Sequence, residues 1–531
     1  MLGVSLLAQG KDALPAAQRA AGLLPGDAQA HSNLGAALYA IEQFDNAAAG
    51  YCRALEINPG FAEAHYNLSL ALQELMQTDG AVASCRRALE LKPDYVDAYQ
   101  KLLFCLSHSE TVNAQELFAE HCRFAEQFEA PLRINWPQHT NSRNPDRCLQ
   151  VGFVSGDLRT HPVANFIEPV LEHLAGCPQL SLHAYSNHAI DDDVTQRLRK
   201  HLSHWHPIVG LSDAALAKKV HEDGIDILID LSGHTHGNRL LTFARKPAPI
   251  QISWIGYHNT TGLLAMDYVL KDRFNAPYGA YEKYYTEKMA RLPSSSTFLP
   301  MEGAPPVNDL PALSTGSVTF GSFNRPNKLG EGVIAMWSQV LQAVPSSKIL
   351  LGAVNEGSLR TSLKKRFARC GVSADRLMFY PRMNMSAYLA LHHQVDFILD
   401  TFPITGGAAT NHALWMGVPV LTMTESSLMK CQCGGAQRRV GLSDWVASDA
   451  EDYVRRAVDW AGRLDELASL RAGMRERLLS SPLRQPETVA KGLETAFRIM
   501  WRRWCEGLPA EHFEVELKSL SCGHPPRSMS D

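Results

Sequence analysis

Apolar positions fall into two regimes along the chain. Up to about residue 108 they recur at helical spacing, and the whole pattern returns every 34 positions. From Leu149 the period changes, and short apolar runs alternate with amphipathic stretches. LQVGFVSG, LSLHAYSN, IDILIDLSG, IQISWIGY and MDYVLKD read as strands, and HPVANFIEPVLEHL, VTQRLRKHL and AALAKKVHEDG as helices. The Pro-, Gly- and Ser-rich segment 302–317 interrupts this alternation as a linker. It then restarts, with VTFGSFN, SKILLGA, RLMFYP, VDFIL and PVLTMT as strands between helical stretches. Strands alternating with helices predict mostly parallel sheets covered on both faces, with ligands beyond the C-terminal strand ends.

In the first regime, Leu34, Gly35, Leu38, Ala47, Tyr51, Ala54 and Pro59 make one copy of the repeat. Leu68, Ser69, Leu72, Ala81, Cys85, Ala88 and Pro93 make the next, with half copies on either side. Small residues at Ala47 and Ala81 let two antiparallel helices pack closely, and the prolines close each unit. This is the tetratricopeptide pattern. Such an array either presents a groove to a peptide or buttresses the next domain. Asn33 and Asn67 recur on one helix face, suited to an extended peptide backbone or simply to solvent.

The expected organisation is a repeat region at 1–130, a linker at 131–147 and a first βα lobe at 148–301. After the linker at 302–317 come a second βα lobe at 318–480, a terminal helix crossing back to the first lobe at 481–510 and a disordered tail at 511–531.

Composition narrows the function classes. In 531 residues, 51 Lys+Arg against 55 Asp+Glu give a net charge of −4, which argues against nucleic acid or an anionic membrane as the partner. No apolar stretch is long enough to span a bilayer, and the start lacks the basic leader of a signal peptide. Eleven scattered cysteines fit a reducing cytoplasm better than a disulfide framework.

Candidate chemistry gathers at strand ends. Thr405 and the small residues Gly406, Gly407, Ala408, Ala409 and Thr410 join a strand to a helix start, the setting of an anion site or of a plain β–turn–α connection. Lys328, after the VTFGSFN strand, reads either as a solvated loop lysine or as a cation on the floor of a cleft. Tyr388 reads as core or as a stacking surface for a base. In the first lobe, three loops carry His161 with Pro162, then His234, Thr235, Asn238 and Arg239, then Tyr257, Asn259 and Thr260, a polar edge that favours a pocket. Asp191, Asp192 and Asp193 precede a helix and read as an N-cap rather than as metal ligands. Cys431 and Cys433 have no second pair at zinc spacing nearby; no metal site is expected.

Taken together, VGFVSGDLRTHPVANFIEPVLEHL, RKPAPIQISWIGYHNTTGL, FGSFNRPNKL and LDTFPITGGAATNHALWMGVPVLTM resemble the O-GlcNAc transferase and SPINDLY family of protein glycosyltransferases over almost the whole chain. The resemblance implies tetratricopeptide repeats before two Rossmann-like lobes in the GT-B arrangement, with a cleft between them. It makes His161, Lys328 and His234 the candidate catalytic residues, Lys328 neutralising the donor diphosphate. The nucleotide-sugar site it implies comprises Asn324, Arg325, Lys328, Met383, Tyr388, the Gly406–Thr410 turn and His412. His412 stands where relatives carry an acid toward the ribose. Pro162, Thr235, Asn238, Arg239, Tyr257, Asn259 and Thr260 would line the sugar and acceptor pocket.

The implied activity is inverting, metal-independent and cofactor-free transfer of GlcNAc from UDP-GlcNAc to Ser or Thr of a protein, with the acceptor bound along the repeat groove. The alternatives are a GDP-fucose donor, on the SPINDLY-like segments, and a non-catalytic scaffold with a decayed transferase domain.

Overall fold

The computed structural model describes residues 13–300, 303–423 and 432–516. Cys431 and the tail from residue 517 lie outside the described residues.

The repeats form antiparallel helix pairs: Leu14–Leu23, Ala28–Ala40, Phe44–Ile57, Ala62–Glu74, Thr78–Leu91, Val96–Ser107 and the longer Ala114–Phe128. Ala47, Ala54, Ala81 and Ala88 are fully buried at the helix crossings. At Gly35 a Cβ would sit 2.7 Å from the Tyr51 ring, so the closest approach needs its missing side chain.

The first lobe contains β1 Leu149–Ser155, β2 Leu180–Ser186, β3 His204–Pro207, β4 Ile227–Asp230, β5 Ile250–Ser253, β6 Tyr268–Asp272 and β7 Lys288–Leu292. The second contains β8 Thr319–Ser322, β9 Lys348–Leu351, β10 Leu377–Phe379, β11 Phe397–Leu399, β12 Val420–Met423 and β13 Val446–Ala447. A last strand, β14 Phe513–Glu514, returns to the first lobe. The sheet orders are β14-β7-β6-β5-β4-β1-β2-β3 and β10-β9-β8-β11-β12-β13. Every pairing is parallel, with Leu149 opposite Leu180 and Phe397 opposite Phe320. Strand order reverses between β4 and β1 in one sheet and between β8 and β11 in the other, and such switch points open a crevice for ligand.

Two expected boundaries move. Residues Phe513–Glu514 belong to the first sheet, not to a disordered tail, because β7 offers them a free edge. The 302–317 segment holds a short helix, Pro311–Thr315, anchored where Asp396 accepts the Ala312 N–H at 2.8 Å. Strands β3 and β7 carry weak sequence signals, since HWHP is only four residues long and has no buried residue, and KMARL shows no period-2 alternation. Asp192 caps the helix Asp193–Arg199 by accepting the Thr195 N–H.

The helix Pro486–Cys505 lays Val489, Leu493, Phe497, Met500 and Trp501 into the core of the first lobe. Across the cleft, Arg439 pairs with Asp272, both buried. The repeats touch both lobes. Toward the first, Glu129 accepts N–H bonds from Leu264 and Ala265, His121 Nε2 meets the Tyr257 hydroxyl at 2.9 Å, and Gln100 exchanges amide bonds with Asn238. Toward the second, Asp45 accepts from Ser358, and Glu110 accepts the Gly332 N–H at 3.1 Å. No helix among the described residues is long and apolar enough to cross a membrane.

Gly262 has φ +79°, and a Cβ there would lie 2.2 Å from the His121 carbonyl oxygen. Gly262→Ala should therefore undock the repeats from the first lobe and lower the thermal unfolding midpoint well beyond the about 1–3 kcal/mol of backbone strain alone. Gly210→Ala is the control, at φ +84° with nothing within 4 Å.

Candidate active site

The second sheet's switch point holds the densest polar network. β8 ends at Ser322 and runs through Asn324 into the short turn Pro326–Lys328; β11 ends at Leu399 and runs through Asp400 to Gly406. Asp400 is fully buried and joins these two segments. Its Oδ1 accepts from Asn324 Nδ2 at 3.0 Å and from the Gly406 N–H at 2.9 Å, and its Oδ2 accepts from the Thr422 hydroxyl at 2.8 Å. Lys328 Nζ donates to the Thr405 carbonyl at 2.9 Å, one residue before Gly406.

The helix Ala408–Trp415 starts here with Gly407 as its N-cap. First-turn N–H groups and the helix dipole put partial positive charge beside Gly406 and Gly407. A Cβ at Gly406 would sit 2.5 Å from Thr410 Oγ1, so only glycine lets the turn close this tightly.

Burial lowers Lys328 to about 8; Asp400 opposes that shift and Arg325 adds to it. Burial raises Asp400, against the pull of the Thr422 hydroxyl, the Gly406 N–H, Lys328 and Cys433.

A second group of predicted residues surrounds a neighbouring cavity of ≈ 290 Å³ at the ends of β8, β9 and β10. Arg325, Met383, Tyr388 and His412 line it, together with Phe323 and Gly352. The rings of Tyr388 and His412 meet edge to face at 5.5 Å. Burial holds His412 neutral, at about 4, so it offers a hydroxyl partner without charge.

His161 approaches from the first lobe. It caps the helix Pro162–Ala175 with Nδ1, which accepts the Val163 N–H at 3.4 Å and lies 3.6 Å from Asp157 Oδ1. Burial lowers its pKa, Asp157 opposes, and Arg159 and Arg325 add to the lowering.

The rest of the predicted polar edge is used for docking. His234 is buried; its Nε2 bonds the Thr261 carbonyl at 2.8 Å and its ring packs on Phe124 of the last repeat helix at 4.8 Å. Tyr257 contacts His121, Asn238 contacts Gln100, and Arg239 pairs with Asp213. Thr260 bonds Glu287, and Thr235 bonds the Ser232 carbonyl. Asn259 borders a small cavity of ≈ 20 Å³ beside the helix Ala114–Phe128. Buried polar groups require partners; the repeat helix and neighbouring loops supply most of them, while His234 Nδ1 and Asn259 Nδ2 are buried without one.

The cleft wall opposite Gly406 and Gly407 is made by His258, Lys271 and Asn275 around a cavity of ≈ 80 Å³. Lys271 Nζ donates to the His258 carbonyl at 3.0 Å. Sequence reasoning missed Lys271, Asn411 on the same cavity, and Asp400. Only Asp400 carried a signal, as an acid closing a buried apolar strand.

A sequence profile described as glycosyl transferase family 41 matches residues 91–300 and 309–493, and a tetratricopeptide repeat profile matches residues 62–95. The chain belongs to glycosyl transferase family 41. SPINDLY of Solanum lycopersicum and of Arabidopsis thaliana, each named a probable UDP-N-acetylglucosamine–peptide N-acetylglucosaminyltransferase, are 35% identical over 393 and 399 residues. Those matches cover 70% and 72% of this chain but 41% and 43% of the relatives, so the chain spans about two-fifths of their length. A solved structure of a lysine-to-methionine variant of the Thermobaculum terrenum O-GlcNAc transferase superposes with a TM-score of 0.88 at 32% identity, covering 95% of this chain and 97% of that one. Family 41 membership and this likeness establish the GT-B pair of lobes behind a repeat array.

One pH dependence follows for this family 41 site. His108 and His258, both within the field of Lys328, stay neutral with pKa values of about 3, and Cys433 is raised well above its ordinary value. Between pH 6 and 9, Lys328 and Lys271, each lowered by burial to about 8, are therefore the cations near the Gly406 turn whose charge changes. Affinity for a nucleoside diphosphate, measured by calorimetry, should hold below about pH 8 and then fall about tenfold per unit for each ammonium that contacts it, and Lys328→Ala and Lys271→Ala separate the two contributions.

Proposed function

We propose that the chain is a protein O-glycosyltransferase that moves GlcNAc from UDP-GlcNAc to a Ser or Thr hydroxyl, with inversion and without a metal. The observation that carries this reading is the bond from Lys328 Nζ to the carbonyl preceding Gly406. It sets an ammonium beside a helix N-terminus, a pairing suited to the charge that develops on a departing diphosphate. The adjoining cavity, with Arg325, Met383, Tyr388 and His412, suits the nucleoside. The names of the SPINDLY relatives support a peptide acceptor and a UDP-GlcNAc donor.

In the proposed step the acceptor oxygen attacks the anomeric carbon as the bond from that carbon to the diphosphate oxygen breaks. The electron pair leaves with the diphosphate, held by Lys328 and the Ala408–Thr410 amides. The hydroxyl proton passes to His161, to a phosphate oxygen or to water. Asn33 and Asn67, both half-buried on the array, suit an extended acceptor backbone. The nine cysteines among the described residues are unpaired, in keeping with a cytoplasmic setting.

Lys328→Ala should lower turnover of labelled UDP-GlcNAc with a Ser/Thr peptide library by about 10²–10³-fold or more, with an unchanged circular dichroism spectrum. Wild-type activity in that variant removes the lysine from the mechanism. In a donor panel, turnover of GDP-fucose in place of UDP-GlcNAc transfers the reading to fucosylation. Binding of nucleotide sugars with no turnover of any leaves a scaffold.

A further inference from the structure

We propose that Glu110, at the end of the repeat array, is a positioning residue that holds the Lys328 turn in place across the domain boundary. The inference rests on Lys328 acting as the diphosphate ligand.

The helix Glu331–Ala343 begins three residues after Lys328, with Gly330 as an N-cap that has no side chain to offer. Its own first-turn acid, Glu331, is drawn away to Arg366 at 2.9 Å. A helix start leaves N–H groups that need acceptors and favours a negative charge nearby. That acceptor comes from 222 positions earlier in the chain: Glu110 Oε2 takes the Gly332 N–H at 3.1 Å. Two glycines make room for it. A Cβ on Gly330 would fall 1.8 Å from Glu110 Oε1, and one on Gly332 would fall 2.8 Å from Oε2 and 3.3 Å from the Phe402 ring. Phe402 lies on the segment leading to Gly406, so the carboxylate sits where the two halves of the anion site adjoin.

The surroundings agree. A cavity of ≈ 320 Å³ runs between repeat residues, including Asp79 and His108, and Asn327 with Lys328. Gly330, Arg366 and Phe402 of the lysine's own lobe also line it. Within the lobe the turn is tied at Asn324 through Asp400, by Lys328 to the Thr405 carbonyl and by the buried Leu329, and Glu110 adds a tie from the repeats just beyond it. Without the Glu110 tie the helix start that follows the turn loses its acceptor. The ammonium then samples the cavity and regains water.

The test uses the full chain with Glu110→Ala, Glu110→Gln and Gly330→Ala, the last displacing the same carboxylate from the opposite side. In Glu110→Ala, kcat with UDP-GlcNAc should fall about fivefold, the loss typical of a missing helix cap. The donor KM should rise. The break in UDP affinity near pH 8 should move upward as the amine rehydrates, a change that loss of stability alone does not produce. Glu110→Gln, which still accepts the Gly332 N–H, should recover part of kcat, and Gly330→Ala should reproduce the upward shift. Unchanged kcat, KM and pH break in Glu110→Ala, with Lys328→Ala inactive, overturns the positioning role and leaves the lysine reading intact; an active Lys328→Ala overturns both. If Glu110→Ala does not fold, Gly330→Ala decides on the same readouts.

Discussion

Everything at the second sheet's switch point depends on one buried charge. A carboxylate removed from water at Asp400 would be costly if left alone, and it is satisfied by an amide, a backbone N–H, a hydroxyl and the field of Lys328. The same bonds join the segment after β8 to the segment after β11. The lysine and the small-residue turn are thus fixed relative to one another before any anion arrives. A site ordered in advance stabilises developing charge without first reorganising.

That arrangement was readable in the sequence wherever local chemistry and topology agreed. The small-residue turn, the lysine after a strand and the tetratricopeptide period each have a short-range physical signature, and the structure brings Asn324, Lys328 and Gly406 together. His234, Tyr257 and Asn238 carried the same kind of signal, polar residues at strand ends, but belong to the surface that receives the last repeat helix. Sequence periodicity reports which sheet edge a loop occupies, not which neighbour covers it. Lys271 was hidden for a related reason: in MDYVLKD it looks like an ordinary strand-end cation, and only the opposing lobe shows that it is enclosed.

The two lobes are joined more firmly than a single linker would achieve. Arg439 and Asp272 form a buried pair across the cleft, the chain crosses from Leu483 in the second core to the helix Pro486–Cys505 on the first, and the repeats grip both. Removing one partner of such a pair strands a charge out of water, so Arg439 and Asp272 are costly to change singly.

The return of the chain to its first lobe has a consequence for biosynthesis. Val489, Leu493, Phe497, Met500, Trp501 and Val515 all belong to the core built around β1 and β2, and β14 completes that sheet's edge. The lobe translated earlier therefore waits, with a greasy face uncovered, until the ribosome has produced nearly all of the described chain, while the later lobe already possesses its own packing partners up to Leu483. Nascent chains arrested before residue 486 should be the ones that engage chaperones, and the order of maturation runs opposite to the order of synthesis.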